Sequence, residues 1–171
     1  MKAKRLATDA LCAALYVVLS NLAGLNLGNM KLSLDGLAIL LGALLFGPVD
    51  GLIIGLLGNF VSQLTGPYGL SVTTPLWMLP PGLVGLLAGL YARKKDFSLK
   101  TPALAGLVLF CLLADTTVTT GVMWIDCLVM RYSFATYVPG IVWRYLADFI
   151  KAAVYTLLLP PLIGALRRLR T

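Results

Sequence analysis

The segment VPGIVWRYLADFIKAAVYTLLLPPLIGAL, residues 138–166, decides the fold, because it is long and apolar enough to cross a membrane yet contains three charged residues. Arg144, Asp148 and Lys151 are spaced by four and then three residues, which places them on one helical face, with Tyr155 one turn further on. A charge at the bilayer centre costs at least about 2.5–3.5 kcal/mol, so such residues face a bundle interior or a wet cavity. Other helices must therefore enclose this face.

The charged face of this segment supports two interpretations. In one, Arg144 and Lys151 flank Asp148 as a structural ion pair that locks two helices together, and Asp115 on the preceding apolar segment completes the network. In the other, Arg144 lies nearer the outer end of the helix and belongs to a ligand pocket, which Asp115 also contacts. Both interpretations need a helical bundle around the face.

Composition supports a membrane protein. Hydrophobic residues make up 59% of the 171-residue chain and charged residues only 12%, about half the fraction usual in soluble domains. Nothing in the sequence indicates a second, soluble domain, so we expect residues 1–171 to form a single integral membrane domain. The net charge of +7 does not indicate a nucleic-acid partner, because most basic residues lie in short clusters at the ends of apolar runs.

The sequence lacks the residue patterns of an enzyme or a metal site. It contains no histidine, no nucleophile paired with a base and no phosphate-binding lysine loop, so we expect neither catalysis nor a cofactor. Cys12, Cys111 and Cys127 are isolated in or beside apolar segments, without metal-ligand spacing or any indication of a disulfide. We therefore expect no metal site and treat the cysteines as small packing residues.

Six apolar segments predict an all-α, polytopic membrane protein built as a six-helix transmembrane bundle. The second segment has about eleven residues and would rise ~16 Å, half of the ~30 Å hydrocarbon thickness, so part of the preceding loop should extend it or enter the membrane. The predicted helices cover approximately residues 4–22, 36–46, 49–64, 76–93, 102–125 and 138–166.

Glycines predict how the third and fourth helices pack. Gly51, Gly55 and Gly58 form one stripe on the third helix, and small residues let two backbones approach closely in lipid. A second glycine stripe on the fourth helix follows Pro80 and Pro81, which remove backbone donors and are expected to bend or unwind that helix.

Three clusters of basic residues determine the expected topology. Positive residues favour the cytoplasmic side of a membrane, so six crossings that begin inside place all three clusters and both termini in the cytoplasm. The loops on the opposite side then hold Lys31 and Arg131 as their cations, and they are the loops rich in aromatic residues. The clusters are Lys2, Lys4 and Arg5; Arg93, Lys94, Lys95 and Lys100; and Arg167, Arg168 and Arg170.

Aromatic and polar residues gather near the outer ends of the helices. An apolar pocket with a few placed polar groups is the usual chemistry of a small-molecule site, and this composition suits a flat heterocycle. Tryptophan and tyrosine also gather at membrane interfaces for structural reasons, so both explanations stay open. The candidate substrate-binding residues are Asn29, Lys31, Asn59, Gln63, Tyr68, Trp77, Trp124, Arg131 and Arg144.

Depth along the helices brings the charged residues together. Asp115 lies about thirteen residues, or ~20 Å, from the cytoplasmic start of the fifth helix, and Arg144 about six residues from the outer start of the sixth. In a ~30 Å core both reach similar levels near Asp148, with Lys151 roughly at mid-depth. Asp115, Asp148 and Lys151 are therefore candidates for a structural ion network, and contact between Asp115 and a ligand is the alternative.

The chain resembles a known family over essentially its whole length. The shared features are a basic N-terminus, the turn Phe46-Gly47-Pro48 before a glycine-rich third helix that reaches Gly58-Asn59, and an arginine followed by a lysine in the last helix, here Arg144 and Lys151. With these features the chain resembles the substrate-binding S components of energy-coupling factor (ECF) vitamin transporters, and is most similar to their folate family. Ala10 and Ala14 match the Ala-x-x-x-Ala pattern of the first helix in that family.

This resemblance implies a function and partners. The chain would capture a vitamin, folate or a related heterocycle, from outside a prokaryotic plasma membrane, and a transmembrane T component with two ATPase subunits would drive uptake. Ala10 and Ala14 would contact the T component. The rival from another class is a small structural or scaffold membrane protein of the cell-shape type, which would need no tight small-molecule binding.

Overall fold

A computed structural model describes residues 2–21, 25–27, 30–66, 69–95 and 100–168. Within these ranges the chain forms the six predicted helices, together with a short hairpin and one 3-10 turn, Phe134–Thr136. The helices are α1 (Lys2–Asn21), α2 (Gly36–Phe46), α3 (Pro48–Thr65), α4 (Thr74–Lys94), α5 (Thr101–Met130) and α6 (Val138–Arg168).

A two-stranded hairpin lies between α1 and α2, where the sequence analysis expects a loop. Strand β1 (Leu25–Leu27) pairs antiparallel with β2 (Met30–Leu32), so that Leu25 is opposite Leu32. Both strands alternate apolar and polar residues, the period that places alternate side chains on opposite faces of a strand. Strand β2 contacts α6, which brings the hairpin to the same end of the bundle as the α5–α6 loop.

Helix α2 is the centre of the bundle. All its residues from Leu37 to Leu44 are buried, as expected for a helix that is apolar on every side. Asp35 caps its start by accepting a 2.9 Å hydrogen bond from the Gly36 amide, and Gly47 ends it with φ 113°, a conformation that favours glycine. Neighbouring helices enclose α2 on all sides. Its eleven residues are therefore sufficient, although they are too few to span a hydrocarbon core.

Helices α3 and α4 pack backbone against backbone, and each uses its predicted glycine stripe for the contact. A Cβ atom added to Gly85 would lie 2.1 Å from the Gly51 carbonyl oxygen, and one added to Gly55 would lie 2.3 Å from the Pro81 carbonyl oxygen. Neither position can hold a larger residue without separating the helices. The predicted packing face is therefore confirmed.

Pro80 and Pro81 were expected to bend or unwind α4, and the helix runs through both without interruption, so it does not unwind there. Both prolines are buried, and neighbouring helices hold this segment in place. A proline lacks the amide that would bond the carbonyl four residues earlier, so the carbonyls of Leu76 and Trp77 lose those helical partners.

Helix α5 is longer than predicted. The predicted helix ends at residue 125 and leaves Asp126 in a loop, but the helix continues to Met130 and Asp126 is buried. The acid is accommodated because Thr73 and Tyr132 both donate hydrogen bonds to it. The helix ends at Arg131, whose φ of 58° is left-handed.

Three helices of the described chain, α4, α5 and α6, are long and apolar enough to cross a membrane, while Leu6–Asn21 and Gly36–Phe46 form shorter apolar helices. Large apolar side chains cover the outside of the bundle. Ile150 is 69% exposed and Leu157 is 75% exposed, which suits contact with lipid.

Candidate functional site

A cavity of about 620 Å³ opens among the six helices, within the range of small-molecule sites. Its lining includes residues from every helix and from the connections α1–α2, α3–α4 and α5–α6. We call the end of the bundle that holds these three connections the loop end. The cavity thus extends from the loop end into the bundle.

Helix α5 forms the longest wall of the cavity. Its lining residues are spaced by three or four positions, with one adjacent pair, so they form a single stripe. The stripe covers ~27 Å of helix at 1.5 Å per residue, most of the thickness of a hydrocarbon core. Its members are Leu112, Asp115, Thr116, Thr119, Met123, Asp126 and Met130.

Asp148 on α6 is fully engaged by protein groups. Its Oδ2 accepts a 2.6 Å hydrogen bond from the Thr116 hydroxyl, and its Oδ1 lies 3.6 Å from Lys151 Nζ. The Asp148 residue is 1% exposed, and both of its oxygens have a partner. This acid therefore joins α5 to α6 and neutralises Lys151, which lines the cavity.

The bond between Thr116 and Asp148 aligns α5 with α6. At 1.5 Å per residue, Arg144 lies ~6 Å nearer the loop end than Asp148, and Lys151 lies ~4.5 Å deeper. Asp115 precedes Thr116 by one residue, so its level falls between Asp148 and Lys151. The charged residues of the two helices therefore lie within ~10.5 Å of each other along the bundle axis, about a third of a ~30 Å hydrocarbon core.

Asp115 differs from Asp148 in its surroundings. It lines the cavity, and within the described ranges its carboxyl has no hydrogen bond and no close ion pair to another side chain. It lies close enough to interact electrostatically with Asp35, Lys151, Asp148 and Arg144. A carboxyl in this position can accept hydrogen bonds from a bound molecule.

A chain of polar side chains forms the wall on α1 and α3. The Asn59 amide donates to the Tyr16 hydroxyl at 3.2 Å, and the Gln63 amide donates to Asn59 Oδ1 at 2.7 Å. Ser62 donates to Ser20 at 3.0 Å. These five residues all line the cavity, so this wall presents hydroxyl and amide groups in fixed positions.

Asp126 connects three segments at the loop end. Thr73, which precedes α4, and Tyr132, which follows α5, each donate a hydrogen bond to its carboxylate. Desolvation and the adjacent carboxylate raise the pKa of the Tyr132 phenol, which keeps it a proton donor. The Tyr132 ring lies 5.7 Å from that of Tyr137, centroid to centroid, and both tyrosines line the cavity.

The structure brings four of the predicted site residues to the cavity: Asn59, Gln63, Trp77 and Arg144. Asn29 and Tyr68 lie outside the described residues. Lys31 belongs to β2, and its side chain also lies outside the description.

Trp124 and Arg131 are not part of the cavity lining. Trp124 follows Met123 of the α5 stripe by one residue, a rotation of ~100°, so it faces outward and is 54% exposed. Arg131 is exposed where it ends α5. Trp124 was expected at the site as an aromatic residue near the outer loops and Arg131 as a cation of those loops, but both side chains lie outside the lining.

Several cavity residues were not predicted from the sequence, among them Tyr16, Asp35 and Asp126. The α5 members could have been found by continuing the three- and four-residue spacing from Asp115. Residues on α1 and α2 carry no such signal, because their position depends on how the helices pack.

Ala10 and Ala14 lie away from the cavity, on the exposed face of α1. Leu11 beside them is 70% exposed, so this part of α1 forms a surface of small and apolar side chains. Among the described residues, the other helices leave this surface uncovered.

The chain matches the family model of the ECF transporter, substrate-specific component, over residues 4–166. Because this match covers nearly the whole chain, the protein belongs to that family. The predicted resemblance to ECF S components is confirmed, and the family consists of transporter components rather than enzymes.

Sequence relatives include UPF0397 proteins of Streptococcus pneumoniae. The protein of strain CGSP14 is 31% identical over 91 residues, which are 53% of this chain and 48% of that protein. The protein of strain Hungary19A-6 is 30% identical over the same length. The chain thus spans about half the length of the curated relatives it matches.

Solved structures of ECF S components share the fold. FolT bound with folic acid has a TM-score of 0.72 at 21% identity, covering 94% of this chain and 97% of FolT. The S component for biotin from an ECF-type ABC transporter has a TM-score of 0.70 at 19% identity, covering 98% of this chain and 92% of that one. At these identities the likeness shows the fold.

Proposed function

We propose that this chain captures folate or a related flat heterocycle from outside the cell and delivers it for ATP-driven uptake. The observation that carries the proposal is the cavity, which is walled by all six helices and is lined by charged side chains of the long apolar helices α5 and α6. Such groups are costly in an apolar span and are usually retained where they bind or transport something.

The orientation of the cavity supports capture from outside. Arg93, Lys94 and Lys95 lie at the end of α4 opposite the loop end, and basic residues favour the cytoplasm. With both termini in the cytoplasm, the loop end and the cavity face the exterior. A substrate would enter between the α3–α4 and α5–α6 connections, whose residues Gly69, Ser71 and Tyr132 line the cavity.

The side chains of the cavity suit a heterocycle with polar edges. Trp77, Tyr132 and Tyr137 offer aromatic faces, while Asn59 and Gln63 offer amides. Arg144 supplies a guanidinium, whose five donors form a rigid fork that fits a carboxylate or a carbonyl edge. The shared fold of FolT bound with folic acid supports folate as the first candidate.

Transport needs partners, because the chain carries no ATP-binding loop. Family membership supports a transmembrane T component and two ATPase subunits as those partners. The exposed surface around Ala10 and Ala14 supports docking of the T component there, since small residues let a second helix approach closely.

Two measurements on the purified protein test this function. Mass spectrometry of small molecules that copurify in detergent should detect a vitamin-like heterocycle, and folic acid should raise the melting temperature of protein freed of that molecule. A chain that carries no heterocycle and shows no thermal shift with folic acid or another vitamin would instead match the structural-scaffold alternative.

A further inference from the structure

We infer that Asp115 selects substrates that present two adjacent N–H groups, the edge of an amino-substituted azine such as a 2-amino-4-oxopyrimidine ring. This inference rests on the proposed capture function and specifies the chemical class of its substrate. Sequence and family comparison leave the role of Asp115 open between a structural ion network and a ligand contact.

Three other acids line the cavity or contact residues that line it, and protein donors already bond to each of them. Asp35 accepts from the Gly36 amide at the start of α2, and Asp148 is engaged by Thr116 and Lys151. Asp126 receives hydrogen bonds from Thr73 and Tyr132. Asp35, Asp148 and Asp126 therefore each have a structural role that these hydrogen bonds explain.

Asp115 is the exception among these four acids in the described part of the chain. It lines the cavity, as Asp35 and Asp126 do, but among the described residues no protein group donates a hydrogen bond to it. A carboxyl at this depth without a donor is unfavourable unless something else supplies one. The cavity in front of it is the place from which a ligand can do so.

The chemistry of a carboxyl group specifies that donor. An ionised carboxylate accepts two parallel hydrogen bonds, which a ring N–H and a neighbouring amino group supply together. A ring that carries a carbonyl in place of the amino group places its carbonyl oxygen against a carboxylate oxygen of Asp115. Both atoms are acceptors, so no hydrogen bond forms and they repel each other.

Arg144 provides a positively charged hydrogen-bond donor on the loop-end side of Asp115. It lies ~7.5 Å nearer the loop end than Asp115 when the helices are aligned by the Thr116–Asp148 bond. A molecule with its donor edge at Asp115 therefore directs its acceptor or anionic part toward Arg144. The substrate class is thus a dipolar heterocycle, inserted with its amino edge deepest.

Two matched pairs of compounds test the selectivity. Pterin and lumazine differ in having an amino or an oxo group at one ring position, and isocytosine and uracil differ in the same way on a single ring. We expect at least one amino compound to bind the wild-type protein tenfold or more tightly than its oxo partner, measured by equilibrium binding in detergent.

Variants at Asp115 link the preference to this side chain. Asp115→Asn should reduce the amino-to-oxo affinity ratio to near one, because the carboxamide presents a donor to the amino edge. Asp115→Glu should retain the preference with weaker binding, since it keeps the carboxylate but moves it by one methylene. Phe110→Leu, on the exposed face of the same helix, should keep the wild-type ratio.

Several outcomes overturn the inference and leave the capture function intact. One such outcome is equal affinity for both members of each pair. Another is an amino-to-oxo affinity ratio that is unchanged in Asp115→Asn. The third is a copurified vitamin without an amino-azine edge. A fall in the melting temperature of Asp115→Asn with an unchanged ratio would make Asp115 structural. Absence of any bound heterocycle overturns the proposed function as well.

Discussion

The Thr116 hydroxyl donates a 2.6 Å hydrogen bond to Asp148, and this bond joins the two longest apolar helices at the level of the cavity. Lys151 approaches the other oxygen of the same carboxylate, 3.6 Å away. The charged face of α6 therefore contains a structural ion pair and, separately, an arginine that lines the cavity. Asp148 and Lys151 neutralise each other, whereas Arg144, a helical turn nearer the loop end, lines the cavity at a different level.

Loss of the Asp148 charge should destabilise the protein more than it weakens substrate binding. Asp148→Asn leaves Lys151 without its counter-ion inside the span, and breaking a buried ion pair costs about 3–5 kcal/mol, less here because Lys151 is partly exposed. We expect a clear fall in the melting temperature in detergent. Thr116→Val, which removes a single hydrogen bond, should cost about 1–3 kcal/mol. A larger effect of Thr116→Val than of Asp148→Asn would contradict this assignment.

Arg144→Lys should weaken binding of the captured heterocycle by about tenfold or more, equivalent to ~1.4 kcal/mol. Lysine keeps the positive charge but cannot reproduce the planar fork of donors. Titration of the purified protein measures the affinity, and the melting temperature without ligand shows whether folding is kept. Arg93→Lys, at the far end of α4, serves as the matched control. If Arg144→Lys binds the heterocycle with wild-type affinity, the guanidinium group is not needed for binding.

The contact between α3 and α4 should tolerate no side chain. Gly85→Ala places a Cβ atom 2.1 Å from the Gly51 carbonyl oxygen, so the two helices must separate and lose packing. We expect a lower melting temperature or poor expression. Gly106→Ala on α5 is the control, because a Cβ atom there meets nothing within 4 Å, and alanine favours a helix by about 0.5–1 kcal/mol. Equal stability of the two variants would show that the helices can move apart freely.

Periodicity and small residues were enough to predict most of the fold. Six apolar segments predicted six helices, and the glycine stripes through Gly51 and Gly85 predicted packing faces, which the structure shows in contact with each other. The spacing of Arg144, Asp148 and Lys151 indicated an enclosed charged face. These patterns are local, so a single sequence contains them completely.

The cavity could be predicted only in part, because its walls depend on contacts distant in sequence. Asp126 was placed in a loop since nothing near it in sequence reveals its donor Thr73, fifty-three residues away. Trp124 was expected at the site because aromatic rings suit a heterocycle, but one residue of helical rotation turns it outward. Which helices meet, and therefore which acids stay without donors, requires the tertiary structure.

Topology can be tested by labelling single cysteines. We expect Arg131→Cys to react with an impermeant thiol reagent added outside the cell, and Lys95→Cys to react only after the membrane is opened. Both positions are exposed, so access to each depends on the side of the membrane. The three native cysteines are buried and are replaced by alanine to remove background. External labelling at residue 95 would overturn the six-crossing arrangement.

Ala14→Trp should abolish uptake while leaving substrate binding to the isolated protein nearly unchanged. Ala14 is exposed on α1 and lies outside the cavity, so an indole there blocks close approach of a partner helix without entering the site. Ala153→Trp introduces the same bulk on the exposed face of α6 and should permit transport. Uptake of labelled vitamin into cells and binding by purified protein separate the two effects. Full uptake by Ala14→Trp, or equal loss in both variants, would mean that the alanine face of α1 is not where the T component docks.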